Sequence, residues 1–320
     1  MRLEQQMKDG LYGSAIGDAL GVPYEFIPRE HLKSNPCIEM TGYGSHNQPV
    51  GSWSDDTSMT LATLEALSHS NDEKIDYGRI MYNFVEWMFY NKYTPNDVTF
   101  DYGTTTYNSI SQYAYGRDLW SCGGKGERDN GNGSLMRILP IAYHIQKYDI
   151  DLWEEGYDMV HNLSALTHAH RRSEMSCGIY ITIALKIMNS SSNDLYDMVN
   201  EGLYNSREYY ISNKLFHSEL EHFDRLFSYT IQDYPLDLIK SGGYTINTLE
   251  ASIHCLLNND NYKDSVLSAV NLGFDTDTTA CVCGGLGGLY YGFDSIPDEW
   301  ISVLLRKDLI DGLIGGFVEE

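Results

Sequence analysis

Two short acidic runs carry the densest chemistry in this 320-residue chain. The first is Ser54-Asp55-Asp56-Thr57, directly before a leucine-rich segment. The second is Asp275-Thr276-Asp277-Thr278-Thr279, directly before the small-residue run Cys281 to Gly288. Each sets two carboxylates and at least one hydroxyl at an expected helix start. One reading is helix capping: Ser, Thr and Asp oxygens accept bonds from the free N–H groups of a first turn, and negative charge there suits the helix dipole. One residue is enough to cap, so both runs hold surplus acid. The other reading is a cation site, because these oxygens are hard ligands suited to Mg²⁺, Mn²⁺ or Ca²⁺ rather than zinc. If the fold joins the two runs, four carboxylates repel one another unless cations sit between them. Two metals about 3.5–4 Å apart are the usual arrangement for such a site.

Three further segments bear on this. Glu25 follows a Gly/Pro turn and is flanked by Tyr24 and Phe26; it is either a surface charge or a partly buried acid or base. Gly131-Asn132-Gly133-Ser134 precedes the apolar segment Leu135 to Ile141, where a helix is expected, with Arg137 one turn further in. Glycines free backbone N–H groups to face an anion, and a helix N-terminus adds a favourable field. That loop gains weight only beside a metal site. Thr167-His168-Ala169-His170-Arg171-Arg172 clusters histidines with bases. At i and i+2 on a helix the two imidazoles face different ways, so a histidine that contacts substrate or caps a helix is expected rather than shared ligation. The sequence has no G-x-S-x-G, no HExxH, no Walker loop and no Rossmann fingerprint.

The elements that must position these groups read as helices. Leu61, Leu64 and Leu67 form one stripe beside Met59, Ala62 and Ala66. Ile80, Phe84, Trp87 and Met88 form a second, Tyr180, Ile183, Ala184 and Ile187 a third, and Leu249, Ile253 and Leu256 a fourth. Alternating strand patterns are scarce. The expected fold is all-α, a compact multi-helix single domain over residues 1–320 with a dozen or so helices and room for a small helical subdomain in the middle third. Cys37 to Ser52, Ser121 to Gly133 and Asn189 to Asp194 read as loops. The aromatic and charged stretch Tyr204 to Leu238 takes no role.

Composition narrows the function classes. The formal charge of −23 repels phosphate backbones, so non-specific nucleic-acid binding is not expected. An anionic substrate would need local help from metal ions, helix N-termini or a few arginines. Cys37, Cys122, Cys177, Cys255, Cys281 and Cys283 form no CxxC pattern, and neither zinc nor disulfides are expected. Met1 to Gly10 is polar, with no signal-peptide core. Thr278 to Phe293 is too short and glycine-rich for a span of about 20 residues. A cytoplasmic monomer without membrane association is the expectation.

Taken together the segments resemble the ADP-ribosylglycohydrolase family. The matching runs are Gly13 to Gly21 through Glu25, Gly51 to Met59, Phe100 to Thr105, Gly131 to Pro140, Ser164 to His168 and Asn271 to Thr278. They stand in family order and span nearly the whole chain. The resemblance implies an all-α fold and a dinuclear site for two Mg²⁺ (or Mn²⁺). By position, Ser54, Asp55, Asp56, Asp275, Asp277 and Thr278 match its metal ligands. Glu25, Asp101 and Asp56 match the acids at the catalytic centre. Asn130, Gly131, Asn132, Gly133, Ser134, Leu135 and Met136 match the loop that holds the ADP-ribose phosphates, and His168 a histidine at the adenosine side. There are departures. Ser54 stands where many relatives have Thr. Phe274 replaces a usual Gly or Asp, which leaves open a differently shaped second loop. Arg171-Arg172 follows the His168 motif, where many members have proline.

The implied reaction is hydrolysis at the ribose C1″ of an ADP-ribosylated protein side chain, nucleobase or small molecule, releasing ADP-ribose. Glu25 or Asp101 would serve as acid or base through a water. Two alternatives remain: a hydrolase of the same fold acting on free ADP-ribose derivatives, and a catalytically silent ADP-ribose-binding protein.

Overall fold

A computed structural model describes residues 2–70 and 73–319. Met1, Asn71, Asp72 and Glu320, which the single-domain reading includes, lie outside the described residues. The helices run in the order α1 (Arg2–Gly21), α2 (Arg29–Ser34), α3 (Asp55–Ser68), α4 (Tyr77–Tyr90), α5 (Thr104–Ala114), α6 (Pro140–Tyr148), α7 (Tyr157–Ala165), α8 (Arg171–Asn189), α9 (Leu195–Ser212), α10 (Asp224–Phe227), α11 (Thr245–Leu257), α12 (Tyr262–Val270), α13 (Thr276–Tyr291), α14 (Asp298–Val303) and α15 (Lys307–Glu319). Short 3-10 turns link several of them. Among the described residues, extended pairing is limited to isolated bridges such as Gly131 with Tyr244. The four apolar stripes fall on α3, α4, α8 and α11, and each is buried.

Local chemistry sets the helix starts. Ser54 accepts a bond from Asp56 N at the start of α3, Asp76 does the same for Arg79 N at α4, and His170 does it for Arg172 N at α8. Each satisfies one orphan donor of a first turn. The segment after the glycine loop departs from expectation. Residues 133–137 make turns, with Met136 N bonded to Asn132 O and Ile138 N to Leu135 O. The helix begins only at Pro140. Proline is suited to a first helical position because its missing N–H would be unpaired there anyway.

At the centre, α1 packs against α13 with their backbones in contact. A Cβ on Gly13 would lie 2.2 Å from Gly284 O, one on Gly17 2.1 Å from Ala280 O, and one on Gly21 2.2 Å from the Asp277 Cα. No larger residue fits at any of the three. The C-terminal end of α1 therefore lies against the first turn of α13. The same helix end also holds α3: the Asp18 carboxylate accepts from Ser54 N (2.9 Å), Thr57 N (3.0 Å) and Thr57 Oγ1 (2.6 Å).

The middle third does not form a separate subdomain. After α9 the chain proceeds in short turns whose Phe216, Phe223, Leu226, Phe227 and Ile231 all enter the one continuous core. Among the described residues, no helix is long and apolar enough to cross a membrane.

The α1–α13 contact makes a paired prediction. Gly17→Ala forces a methyl against backbone and should destabilise the protein by at least about 1–3 kcal/mol in urea unfolding. Gly312→Ala, in a helix and with open space around it, should be neutral or add up to about 1 kcal/mol. Equal stabilities for the two variants would contradict the close-contact account.

Candidate active site

The fold brings the two acidic runs together, and it separates capping from the rest of their chemistry. At α3 the orphan N–H groups go to Ser54 and to Asp18 of the neighbouring helix. The Asp55 and Asp56 carboxylates are surplus to capping. Asp56 is fully buried; its Oδ1 accepts from Thr278 Oγ1 (3.3 Å) and its Oδ2 has no partner. At α13, Asp275 occupies the cap position but makes no cap bond. Its Oδ2 accepts from Asn132 Nδ2 (2.9 Å), and its Oδ1 has no partner. Asp277 is 1% exposed; Oδ1 accepts from Thr278 N (2.9 Å) and Oδ2 has no partner. Buried polar atoms are nearly always paired, so three orphan carboxylate oxygens in one place mark a site that expects a ligand.

Glu25 resolves the choice left open above: it is 6% exposed. Its carboxylate is bonded by His46 Nε2, which also lies 3.7 Å from Asp101 Oδ2. His46 sits on the turn Gly44–His46, with its ring between Phe26 and Phe100. Ser45 Oγ donates to Glu25 O (2.5 Å), which ties this loop to the acid. One ligand atom each from Glu25, His46, Asp101 and Asp277 falls within 4.8 Å of the others.

Above the acids lies a cavity of about 400 Å³, within the size range of small-molecule sites. Its lining includes Glu25, Asp55, Asp101, Asp275 and Thr278 on one side, and Gly131, Asn132, Gly133, Met136 and His168 on the other. Ser54, Asp56 and Asp277 lie beneath the floor, buried. Asn130, Ser134 and Leu135 are buried behind the loop and do not line the cavity. Asn130 Oδ1 accepts from Ser173 Oγ and its carbonyl from Thr245 N, so it anchors the loop. Ser134 Oγ accepts from Ser164 Oγ (2.9 Å). The N–H groups of Gly131, Gly133 and Ser134 take no partner among the described residues. A Cβ on Gly133 would lie 2.8 Å from both His168 Cε1 and Thr106 Oγ1, so only glycine lets the loop lie this close to His168.

Phe274 lies in the left-handed region at φ 65, a conformation that Gly or Asp adopts readily and Phe does not. Its N–H donates to Ile27 O and its carbonyl accepts from Phe26 N. Phe26 is also left-handed, at φ 62. Both rings are exposed, Phe26 by 67% and Phe274 by 49%, and Phe26 lines the cavity.

The electrostatics follow from burial. Burial is the largest cause raising Asp55, Asp56 and Asp277 well above the usual carboxylate range, and the charge of Asp101 adds to each. Burial, then Asp101, pushes Glu25 to about 11. Asp18 and Asp275 rise only to about 6: Thr57 and Ser54 donate to the first, and Asn132 and Thr278 to the second. Burial, then the charge of Arg137, lowers His168 to about 3 and keeps it neutral. The donor set consists mainly of carboxylates, with the Thr278 hydroxyl beside them and one imidazole. It fits a hard divalent cation such as Mg²⁺ or Mn²⁺ and not a thiolate metal.

Sequence reading missed Asp18 as a cap, together with His46, Thr106 and Arg128, which also lines the cavity. Asp18 stood inside a quoted motif. His46 had no local pattern to reveal it.

All of residues 1–320 match the family described as ADP-ribosylglycohydrolase. The chain belongs to the ADP-ribosylglycohydrolase family. Over 313 residues it is 30% identical to the ADP-ribosylarginine hydrolase Tri1 of Serratia proteamaculans, covering 96% of this chain and 77% of that one. It is also 30% identical to the ADP-ribosyl-dinitrogen reductase glycohydrolase of Rhodospirillum rubrum, over 92% of this chain and 88% of the relative. A solved structure titled as an ADP-ribosylglycohydrolase-related protein complex superposes with a TM-score of 0.78 at 23% identity, covering 99% and 98% of the two chains. At that identity the likeness shows the fold. Membership supports hydrolysis of an ADP-ribose linkage and agrees with the acids gathered here.

The buried acids predict how stability depends on pH. A carboxyl whose folded pKa is raised above its unfolded value stabilises the protein below the unfolded pKa, and that stability is lost as pH rises through the folded value. For Asp18 and Asp275 the window runs from the ordinary carboxyl value of 3.8 to about 6; Glu25 extends it upward. In EDTA, Tm should fall between pH 5 and pH 8. Millimolar Mg²⁺ or Mn²⁺ should restore it at pH 8 and do little at pH 5. A flat EDTA profile would contradict this account of the acids.

Proposed function

We propose that this protein is a divalent-cation-dependent hydrolase that cleaves the C1″ glycosidic bond of an ADP-ribosylated substrate and releases ADP-ribose. The observation that supports the reading is the set of orphan oxygens on Asp275, which lines the cavity beside the glycine loop, and on the buried Asp56 and Asp277 next to it. Asp55, Asp56, Asp275, Asp277 and Thr278 would hold two Mg²⁺ or Mn²⁺ ions, with Ser54 behind them as the cap that fixes their turn. Such ions supply charge neutralisation and Lewis-acid polarisation.

The protein's own groups have separable tasks in this reading. Glu25 is the proton carrier: it lines the cavity, is shielded from water, and holds its proton tightly because of burial and Asp101. His46 orients the Glu25 carboxylate. Asp101 supplies negative charge on the side where a cleaving glycosidic carbon becomes oxocarbenium-like. Gly131, Asn132, Gly133, Met136 and neutral His168 receive the nucleotide end. The relatives named above act on ADP-ribosylarginine and ADP-ribosyl-dinitrogen reductase by their names, so an arginine-linked substrate is the first to test.

The test is ADP-ribose release from arginine-, serine- and nucleic-acid-linked substrates with Mg²⁺, with Mn²⁺ and with EDTA. Release should require the cation, and Asp55→Ala, Asp56→Ala, Asp275→Ala or Asp277→Ala should abolish it. Glu25→Gln should lower turnover by roughly 10²–10⁴-fold. Full activity in EDTA, or in any of the four alanine variants, would sink the proposal. Cation binding with release only from free ADP-ribose derivatives would transfer the reading to a small-molecule substrate. Neither cation binding nor release would point to a silent binding protein.

A further inference from the structure

We propose that Arg128 is a specificity-determining residue that binds the anionic diphosphate of the substrate, and that Arg172 positions it through Glu127. This rests on the ADP-ribosyl reading above.

Glu127, Arg128 and Asp129 form a single 3-10 turn. At three residues per turn, successive side chains point about 120° apart. Two of the three are tied in opposite directions. The Glu127 carboxylate accepts from Arg172 Nη1 (3.1 Å) and lies 3.6 Å from His170 Nε2, both at the start of α8. The Asp129 carboxylate accepts from Thr105 Oγ1 (3.3 Å), at the start of α5, and from Gly126 N (2.8 Å). Arg128 is left with no protein carboxylate among the described residues, and it lines the cavity.

Its charge stands out there. The carboxyl, imidazole and cationic groups on the cavity wall are Glu25, Asp55, Asp101, Asp275, the neutral His168 and Arg128, with the phenol of Tyr102 beside them. In a chain of formal charge −23, a diphosphate needs a local cation. Arg128 lines the same cavity as Gly131 and Gly133, which follow it closely in the chain and whose N–H groups have no partner among the described residues. A guanidinium fork suits phosphate oxygens better than an ammonium does.

The clamp on the turn is itself held. Arg172 Nε and Nη2 both donate to Glu219 Oε2 (2.9 and 2.6 Å), and Nη2 lies 2.8 Å from His222 Nε2. Glu219 fixes one edge of the guanidinium, which leaves Nη1 aimed at Glu127. Glu219 and His222, within the stretch Tyr204 to Leu238, thereby acquire a role, and so does Arg172 of the Arg171-Arg172 departure: they hold the substrate turn from behind.

The experiment is calorimetric binding of ADP-ribose and of adenosine to the full-length protein in Mg²⁺. Wild type is compared with Arg128→Ala, Arg128→Lys, Glu127→Ala and the Glu127→Ala/Arg128→Ala double variant. Arg128→Ala should weaken ADP-ribose by roughly 10–100-fold, as for loss of hydrogen bonds to a charged group, and leave adenosine unchanged. Arg128→Lys should fall between. Glu127→Ala, at an exposed side chain, removes the Arg172 Nη1 partner but leaves the buried Arg172–Glu219 pair in place, and should give a smaller loss of the same kind. The double variant should be no worse than Arg128→Ala alone, because Glu127 acts through Arg128. Equal ADP-ribose affinity in wild type and Arg128→Ala, or an equal loss for adenosine, overturns the binding role. Additive losses in the double variant overturn the positioning role. A wild type that binds no ADP-ribose brings down the ADP-ribosyl reading itself, and this proposal with it.

Discussion

The close approach of α1 and α13 is the contact on which the rest depends. Glycines at 13, 17 and 21 let two backbones touch where any side chain would hold them apart. The contact has a purpose visible at its end. It sets the last turn of α1, carrying Asp18 and leading to Glu25, against the first turn of α13, carrying Asp277. Without that approach the second acidic run would stand a side chain further from the first. The packing of two almost wholly buried helices supplies the favourable energy that holds mutually repelling acids in place. A cation is the natural relief of that repulsion.

The same region shows how one pattern, acid at a helix start, divides into two tasks. Asp18 is an acid from a neighbouring helix that does the capping of α3, together with Ser54. Its three accepted bonds limit its rise to about 6. Asp55 and Asp56, relieved of capping, are free to face the site, and with few donors they rise further. At α13 the division is different. Asp275 gives up its cap to accept from Asn132, and this bond couples the second acidic run to the glycine loop. Acid floor and loop are therefore one bonded structure rather than two elements that happen to be adjacent.

What could be read from the sequence follows from the range of the interactions. Helical stripes are local and recur within a turn or two, so Leu61 to Leu67 and Tyr180 to Ile187 announced their helices. The acidic runs were also local, and their density exceeded what capping needs. Long-range contacts left no such trace. His46 meets Glu25 across 21 residues, and Asp18 meets Ser54 across 36; neither has a neighbour in sequence that reveals its partner. Leu135 to Ile141 was misread because its apolar residues are buried in turns rather than along a helix face, and Pro140 starts the helix late. Arg128 was hidden for a simpler reason. An arginine between two acids looks like a solvated charge run, and only the diversion of Glu127 and Asp129 to other partners isolates it.

The cavity is polar along its length, and that polarity matches the needs of a substrate that changes charge at one end. The loop side offers free N–H groups and Arg128, which favour a diphosphate. The Asp101 carboxylate, beside Glu25 and His46, would favour positive charge as a glycosidic bond opens. A substrate placed the wrong way round would set its phosphates on the acids, and uncompensated carboxylates would reject it. Phe26, which lines the cavity beside Glu25, and Phe274, next to Asp275, are both left-handed, held by backbone bonds of Phe274 with Phe26 and Ile27. Left-handed geometry costs roughly 1–2 kcal/mol for a residue other than glycine, so two adjoining examples concentrate strain beside Glu25 and Asp275. Strain of that kind persists where the surroundings over-determine it. Here the surroundings are the Glu25 turn and the Asp275 turn, the two segments whose separation the α1–α13 contact fixes.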